Sequence, residues 1–469
     1  MQIRNAAWFL YVNDFYSSFD IKRSSIPVVA TMLSTFKLLL LMTAFISLHG
    51  KKSCFSDDNH PYRLYASKTA YDVVRSFKAK EVTYPGCQPV QFYLLCRHGT
   101  RYPDRKDINK LETQLPQLQA EILRNAMEKG KLCETDVDNL RAWSLNLPAS
   151  IDEDLAPAGE KELQEIAARF KIRFPSLFHA PFSDDVYNLR FTSTERTNAS
   201  ARNFLIGLFG EEGKSIPFTS SNVDDFLLRF YKTCKKWKKT VDNNPAAVKE
   251  ATEFSNGSEI EDAVKDVSKR LGLKHHLSIA DVNLMYDMCR YQASWDKDEI
   301  SPWCVAFKKK QLRLLEYTED LKYFYKHGYG YSINYEQACA PIKDIVDHFR
   351  SVLAGNNDEP KGLFRFSHSG MMLKVYARLG LFKDNSTLAS ENYKQQKGRK
   401  WRTSFMDAFA SNIAFVLLNC SGNYKIATYV QERKLHLPGC SSLLCSSEDF
   451  LKAFGKIADE CNVGEICKM

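Results

Sequence analysis

Val90-Gln-Phe-Tyr-Leu-Leu-Cys96 runs directly into Arg97-His98-Gly99-Thr100-Arg101-Tyr102-Pro103, and this join decides how the chain is read. The first stretch is apolar apart from Gln91, as expected of a strand buried on both faces. The second sets a histidine at the mouth of that strand, with Arg97 before it and Arg101 three residues after it. An imidazole can take a phosphoryl group covalently. Flanking guanidiniums neutralise the equatorial oxygens of a transferring phosphoryl group, and their planar fork binds those oxygens bidentately where lysine cannot. Tyr102-Pro103 closes the loop as a turn.

Outward from this point the pattern alternates. Residues 108–130 carry Ile108, Leu111, Leu115, Leu118 and Ile122 at helical spacing, and Leu163, Ile166, Ala167 and Phe170 repeat it behind Pro157 and Gly159. A strand near Val186–Phe191 precedes a helix starting about Arg196. Gly362–Phe366, a helix from Met371 to Leu379 and the strand Lys425–Val430 resume the alternation. Strands interleaved with helices predict an α/β core with a mainly parallel sheet. Residues 210–350 differ, being rich in Lys, Glu, Asp and Tyr with helical spacing throughout, as in Leu314, Tyr317, Leu321 and Phe324. The expected organisation is an extension and signal at 1–50, a core at 60–209, a helical insertion at 210–350 and a second core part at 361–469. Lys235-Lys-Trp-Lys-Lys239 falls in the insertion and reads as a solvated helix face.

With 469 residues, the chain exceeds a single ordinary core. It is 44% hydrophobic and 26% charged, the composition of a globular protein. The formal charge of +9, from 65 Lys and Arg against 56 Asp and Glu, suits an anionic substrate, a membrane surface or nucleic acid equally. Lys37 precedes the apolar run Leu38–Leu48, which reads as a secretory signal and is too short for a comfortable membrane span. Met32 is then a candidate start, and no stable membrane insertion is expected after cleavage. All 13 cysteines follow that run, as an oxidising compartment predicts. The odd count leaves one free; Cys96, at the end of the buried strand, is the candidate. Cys440–Cys445 and Cys461–Cys467 are expected short-range bridges. No cysteine spacing suggests a zinc site. Of four N-x-S/T sequons, Asn256 and Asn385 are the expected glycosylation sites, in polar loops; Asn198 and Asn419 are the others.

RHGTRYP resembles the nucleophile loop of the histidine acid phosphatases. Ser301-Pro-Trp-Cys304, Tyr317–Tyr331, Trp401–Ile413 and Gln431–Cys440 resemble one branch, the multiple inositol polyphosphate phosphatases, in order from about His60 onward. The resemblance implies a three-layer αβα core with a helical cap. It implies His98 as nucleophile and Arg97, Arg101, Arg196 (in Thr192–Ala201) and His368 (in Leu363–Gly370) as phosphate ligands. Lys326 and His327 are weaker candidates for the pocket wall. It also implies a small anionic substrate, an inositol polyphosphate or 2,3-bisphosphoglycerate, rather than nucleic acid. No cofactor and no metal is implied, since arginines do the neutralising.

One position departs. After their second histidine, phytase-like members carry Asp and inositol polyphosphate phosphatases carry Ala-Glu, a carboxyl that protonates the leaving alkoxide. Here Ser369 and Gly370 follow His368. A positioned general acid contributes roughly 10²–10⁴-fold, and a serine alone is far too weak an acid to replace it. Ser369 reads instead as a cap for the helix expected at Met371. Three readings stay open: an enzyme with its acid elsewhere, such as a neighbouring substrate phosphate; a slow enzyme for good leaving groups; and a phosphate-binding pseudoenzyme.

Overall fold

Strand β1, Gln88–Arg97, lies inside a sheet with both faces covered, which is why its sequence scarcely alternates. Phe92, Leu94 and Cys96 pack on one side and Tyr93 and Leu95 on the other. The computed structural model describes Cys54 and residues 62–75, 82–148, 150–296 and 301–469. The extension, the apolar run at 38–48 and the alternative start at Met32 lie outside the described residues.

The sheet adds β2 (Tyr187–Phe191), β3 (Gly362–Ser367), β4 (Asn412–Cys420), β5 (Asn423–Val430), β6 (Arg433–Leu435) and β7 (Leu444–Ser446) in the order β2-β3-β1-β4-β5-β6, with β7 also on β5. It is mixed. β2, β3 and β1 pair in parallel, whereas β4 pairs antiparallel to β1 and begins an antiparallel half. Crossover connections through helices make the parallel half, and a tight turn at Ser421-Gly422 lets β5 double back on β4. The chemistry gathers at the parallel half.

Helices α1 (Arg105–Lys129), α2 (Pro157–Arg173) and α3 (Glu195–Phe209) follow the first strands. Asp104 caps α1 by accepting from the Asp107 N–H at 2.8 Å, and Pro157 opens α2, where its missing N–H costs nothing. α2 and α3 cover one face of the sheet: Phe170 meets Phe92 at 4.9 Å and Phe204 meets Phe364 at 5.0 Å between ring centres. Between β2 and β3 the described residues contain helices and no strand. The longer ones are α4 (Ser258–Arg270), α5 (Ile279–Trp295), α6 (Lys309–His327) and α7 (Cys339–Leu353). Leu314, Tyr317, Leu321 and Phe324 are all buried along α6. This segment has no separate core: Trp237, Met285 and Leu321 join one apolar cluster with Leu95 of β1 and Met371. α8 (Ser369–Arg378) and α9 (Ser447–Asp459) lie on that second face too, and Phe450 of α9 packs between Phe349 and Phe415.

Six disulfides join Cys54–Cys133, Cys87–Cys420, Cys234–Cys467, Cys289–Cys304, Cys339–Cys461 and Cys440–Cys445, and Cys96 is free and buried. Cys96 and the 440–445 bridge match expectation; the 461–467 bridge does not form. A helical turn, Val463–Ile466, separates those two cysteines and points them apart, toward Cys339 and Cys234.

Candidate active site

Arg97 at the end of β1 lies opposite Ser367 at the end of β3. His98 and His368 therefore each fall one residue beyond adjacent parallel strands, with ring centres 5.5 Å apart. β2 ends in register with the same edge, Phe191 opposite Phe366, and α3 starts four residues later and carries Arg196. Three parallel strand ends thus meet the N-termini of two helices, an arrangement that favours an anion.

The loop after β1 is tightly held. A Cβ on Gly99 would fall 2.6 Å from the Gly159 carbonyl oxygen, so only glycine lets α2 approach this closely. The N–H and hydroxyl of Thr100 donate to Glu162 of α2 at 2.8 and 3.0 Å, and the Gly99 N–H donates to Ser200 Oγ at 3.1 Å. Burial raises the Glu162 carboxyl to about 7 despite these donors. His98 Nδ1 lies 2.9 Å from the Gly99 carbonyl, which can only accept; the proton is thus on Nδ1 and Nε2 keeps its lone pair. Burial, and then Arg97, Arg196, His368 and Arg101, pushes His98 well below the ordinary histidine range and keeps it neutral. A neutral imidazole is the nucleophilic form.

Arg97 donates to the backbone carbonyls of Ser67, at 2.8 Å, and of Asp407. Arg101 and Arg196 share one carboxylate, Glu153, at 3.5 and 3.1 Å. His368 Nε2 lies 2.9 Å from Thr192 Oγ1, and burial, then Arg196 and Arg229, lowers its affinity for a proton.

One cavity of about 440 Å³ gathers every phosphate-site residue expected from sequence: Arg97, His98, Arg101, Arg196 and His368. Lys326 and His327 line it too. The Lys326 ammonium donates to the Asp242 carbonyl at 3.1 Å, and His327 Nδ1 is 2.8 Å from the ammonium of buried Lys374. Sequence reading missed Lys68, Glu153, Arg229, Tyr231, Lys232 and Lys322, which also line the cavity. The run Arg229-Phe-Tyr-Lys232 was a usable signal, cationic residues flanking aromatics soon after a core helix. In Lys235–Lys239 the lysines are exposed as expected, but Trp237 is buried and forms cavity wall.

The capping role expected of Ser369 is not what it does. The helix starts two residues earlier than Met371, at Ser369 itself, with His368 in the cap position. The Ser369 hydroxyl donates instead to Asp407 Oδ2 at 2.5 Å. Burial raises Asp407 to about 6, against the opposing pull of Arg97. Asp407 lies inside the Trp401–Ile413 stretch, yet nothing in its local spacing singled it out. Of the sequons, Asn256, Asn385 and Asn198 are exposed and Asn419 is half-buried.

Comparison with known proteins agrees with this geometry. Residues 90–432 match the family model described as histidine phosphatase superfamily (branch 2). Multiple inositol polyphosphate phosphatase 1 of Drosophila melanogaster is 33% identical over 436 residues, covering 90% of this chain and 91% of the relative. The Homo sapiens protein of that name is 29% identical, covering 95% and 96%. Among solved structures, the phytase from D. castellii superposes with a TM-score of 0.66 at 15% identity, covering 88% of this chain and 91% of that one. The Bifidobacterium longum multiple inositol polyphosphate phosphatase, in complex with inositol hexasulfate, gives 0.63 at 15% identity, covering 87% and 100%; these two establish the likeness of fold. The RHGTRYP loop, a ring of cations and a match spanning most of the chain lead to one conclusion: the chain belongs to the histidine phosphatase superfamily, branch 2, among the multiple inositol polyphosphate phosphatases, and is by class a phosphoric monoester hydrolase.

Proposed function

We propose that this chain removes phosphates from inositol polyphosphates, inositol hexakisphosphate and lower forms, in two steps through a phosphohistidine. His98 Nε2 attacks phosphorus while Arg97, Arg101, Arg196 and His368 hold the transferring oxygens, and water then releases phosphate. The observation that carries this reading is the excess of cations around His98. Eight Lys and Arg side chains line the cavity against two carboxylates, Glu153 and Asp242. One phosphate needs only the innermost few. Lys68, Lys322 and Lys326 are left for further phosphates on the same molecule, which favours a polyphosphorylated substrate over a simple monoester. The fruit-fly and human relatives bear the corresponding name, which supports the same substrate class. 2,3-Bisphosphoglycerate, with two phosphates, is a second candidate that would use fewer of these cations.

Six disulfides among the described residues are compatible with a secreted or lumenal protein, and no helix there is long and apolar enough to cross a membrane. The proposed setting is the secretory pathway, with glycans on exposed Asn256 and Asn385.

The absence of a carboxylate at 369 and 370 favours a second reading, a slow phosphatase for good leaving groups or a phosphate-binding pseudoenzyme. Phosphate release from inositol hexakisphosphate and from p-nitrophenyl phosphate separates them, with His98→Ala as the blank. Turnover of both above the blank supports the first reading. Turnover of the aryl ester alone supports the slow enzyme, and turnover of neither supports the pseudoenzyme.

A further inference from the structure

We propose that Ser369 and Asp407 form a proton relay to the leaving group, in which the Ser369 hydroxyl delivers the proton and Asp407 supplies it. This rests on the phosphohistidine reading above and deepens it. Ser369 is the first residue of α8, next to His368, and borders the cavity that holds His98. Its Oγ lies 2.5 Å from Asp407 Oδ2 and donates to it when the carboxyl is ionised. With Asp407 protonated on Oδ2 the bond reverses, the carboxyl donates to Oγ, and the hydroxyl proton is free to turn to the leaving group. A serine is too weak an acid by itself, but a serine with a carboxyl behind it passes on that carboxyl's proton.

The surroundings of Asp407 suit this use. The side chain is fully buried and its second oxygen, Oδ1, makes no hydrogen bond. An ionised carboxylate in that position would be short of donors, which favours the protonated form. The groups that face it are Arg97 from β1, Lys68 from the turn at 66–68, Glu319 from α6, and Ser369 and Tyr376 from α8. Arg97 and Lys68 favour the anion and Glu319 opposes it, but burial outweighs them all. The result, about 6, lets the carboxyl both give and recover a proton in mildly acidic solution.

Two simpler roles fit less well. Asp407 does not clamp Arg97 with its carboxylate: the nearest approach is 3.7 Å, and the Arg97 Nη1 instead donates to two backbone carbonyls. The two carboxylates that line the cavity are committed elsewhere, Glu153 to Arg101 and Arg196 and Asp242 to Lys326.

The steps balance. As the His98 Nε2–phosphorus bond forms, the ester oxygen departs with the bonding pair and takes the Ser369 proton, while the Asp407 proton moves to Ser369 Oγ. The alcohol leaves and Asp407 is ionised. In the second step water attacks phosphorus, the nitrogen–phosphorus pair returns to His98, and the water proton passes through Ser369 back to Asp407.

The test compares kcat/KM for alkyl and aryl phosphate esters, glycerol phosphate and inositol hexakisphosphate against p-nitrophenyl phosphate, in Asp407→Asn and in Ser369→Ala. Aryl leaving groups need little protonation. The expected result is an alkyl-to-aryl ratio lowered on the order of 10²-fold in both variants, within the range for a general acid. The fall in alkyl-ester kcat/KM as pH rises through about 6 is also expected to vanish in Asp407→Asn. Equal losses for both ester classes would overturn the relay and leave Asp407 as a positioning residue for Arg97. An unchanged ratio would overturn it in favour of another proton source. Ser369→Ala keeps the test decisive if Asp407→Asn unfolds. No His98-dependent release from any ester would overturn the phosphohistidine reading itself, a different outcome from loss of the relay alone.

Discussion

The junction after β1 and the junction after β3 both carry a histidine into the cavity, but they are secured in different ways. At the first, Gly99 lets α2 come close, Glu162 takes two donors from Thr100, and Ser200 takes the Gly99 N–H. At the second, His368 leans on Thr192, Ser369 turns away to Asp407, and Gly370 presents no side chain at all. The half of the site proposed to bind and attack phosphorus is over-determined. The half proposed to handle the proton hangs on one hydrogen bond to a residue 38 positions away. On that reading phosphate binding and leaving-group protonation are separable, and substitutions should separate them.

The largest effect belongs to the first junction. His98→Ala is expected to lower phosphate release on the order of 10³-fold or more and to abolish any acid-labile phosphoenzyme trapped from a labelled substrate. Survival of the phosphoenzyme would place the nucleophile elsewhere. Next, Arg97→Lys is expected to cost about 10²-fold in kcat/KM for aryl and alkyl esters alike, because it loses the guanidinium fork without touching the proton. A loss confined to alkyl esters would erase the contrast between the two junctions.

A pH effect on stability comes third. Burial raises Glu162 to about 7, so the folded chain keeps a proton there that the unfolded chain has already lost. That contribution is complete below the ordinary glutamate range and declines as pH rises to about 7, by up to about 1 kcal/mol per pH unit. Glu162→Gln is expected to flatten that decline in urea-unfolding midpoints measured across the window. Asp407→Asn is expected to flatten a similar slope ending near 6, at the other junction. The smallest effect concerns Glu153. Glu153→Gln frees Arg101 and Arg196 and is expected to strengthen inhibition by inorganic phosphate a few-fold. Weaker inhibition would mean that Glu153 organises the arginines more than it competes with the ligand.

What could be read from sequence follows from the reach of each signal. Val90–Cys96 with RHGTRYP is local and dense, so the strand, its loop and the role suggested for His98 were all visible in fourteen consecutive residues. α2 and α6 were visible through their apolar stripes, because burial imprints a helical period. Arg196 and His368 came only through resemblance, since a lone Arg after a strand carries little information by itself. Glu153, Lys68 and Asp407 were hidden because the fold alone brings the first two to the cavity, from a loop and a short turn, and the third behind Ser369 from the segment leading into β4. The pairing of Cys461 and Cys467 was misread for the same reason: closeness along the chain was taken for closeness in space.

Cys234 lies between Tyr231 and Trp237, both cavity wall, and its disulfide partner stands 233 residues further along the chain. Cys87, just before β1, is bonded to Cys420, 333 residues away. In a chain made from its N-terminus, neither bond can form until nearly all the residues have been synthesised and have met an oxidant. The cavity wall is therefore among the last parts to be fastened. β1 itself pairs with β3 and β4, from residues 362–367 and 412–420, so the sheet, the cavity wall and these two bonds are all completed late, and oxidation locks a cavity that has only just been assembled.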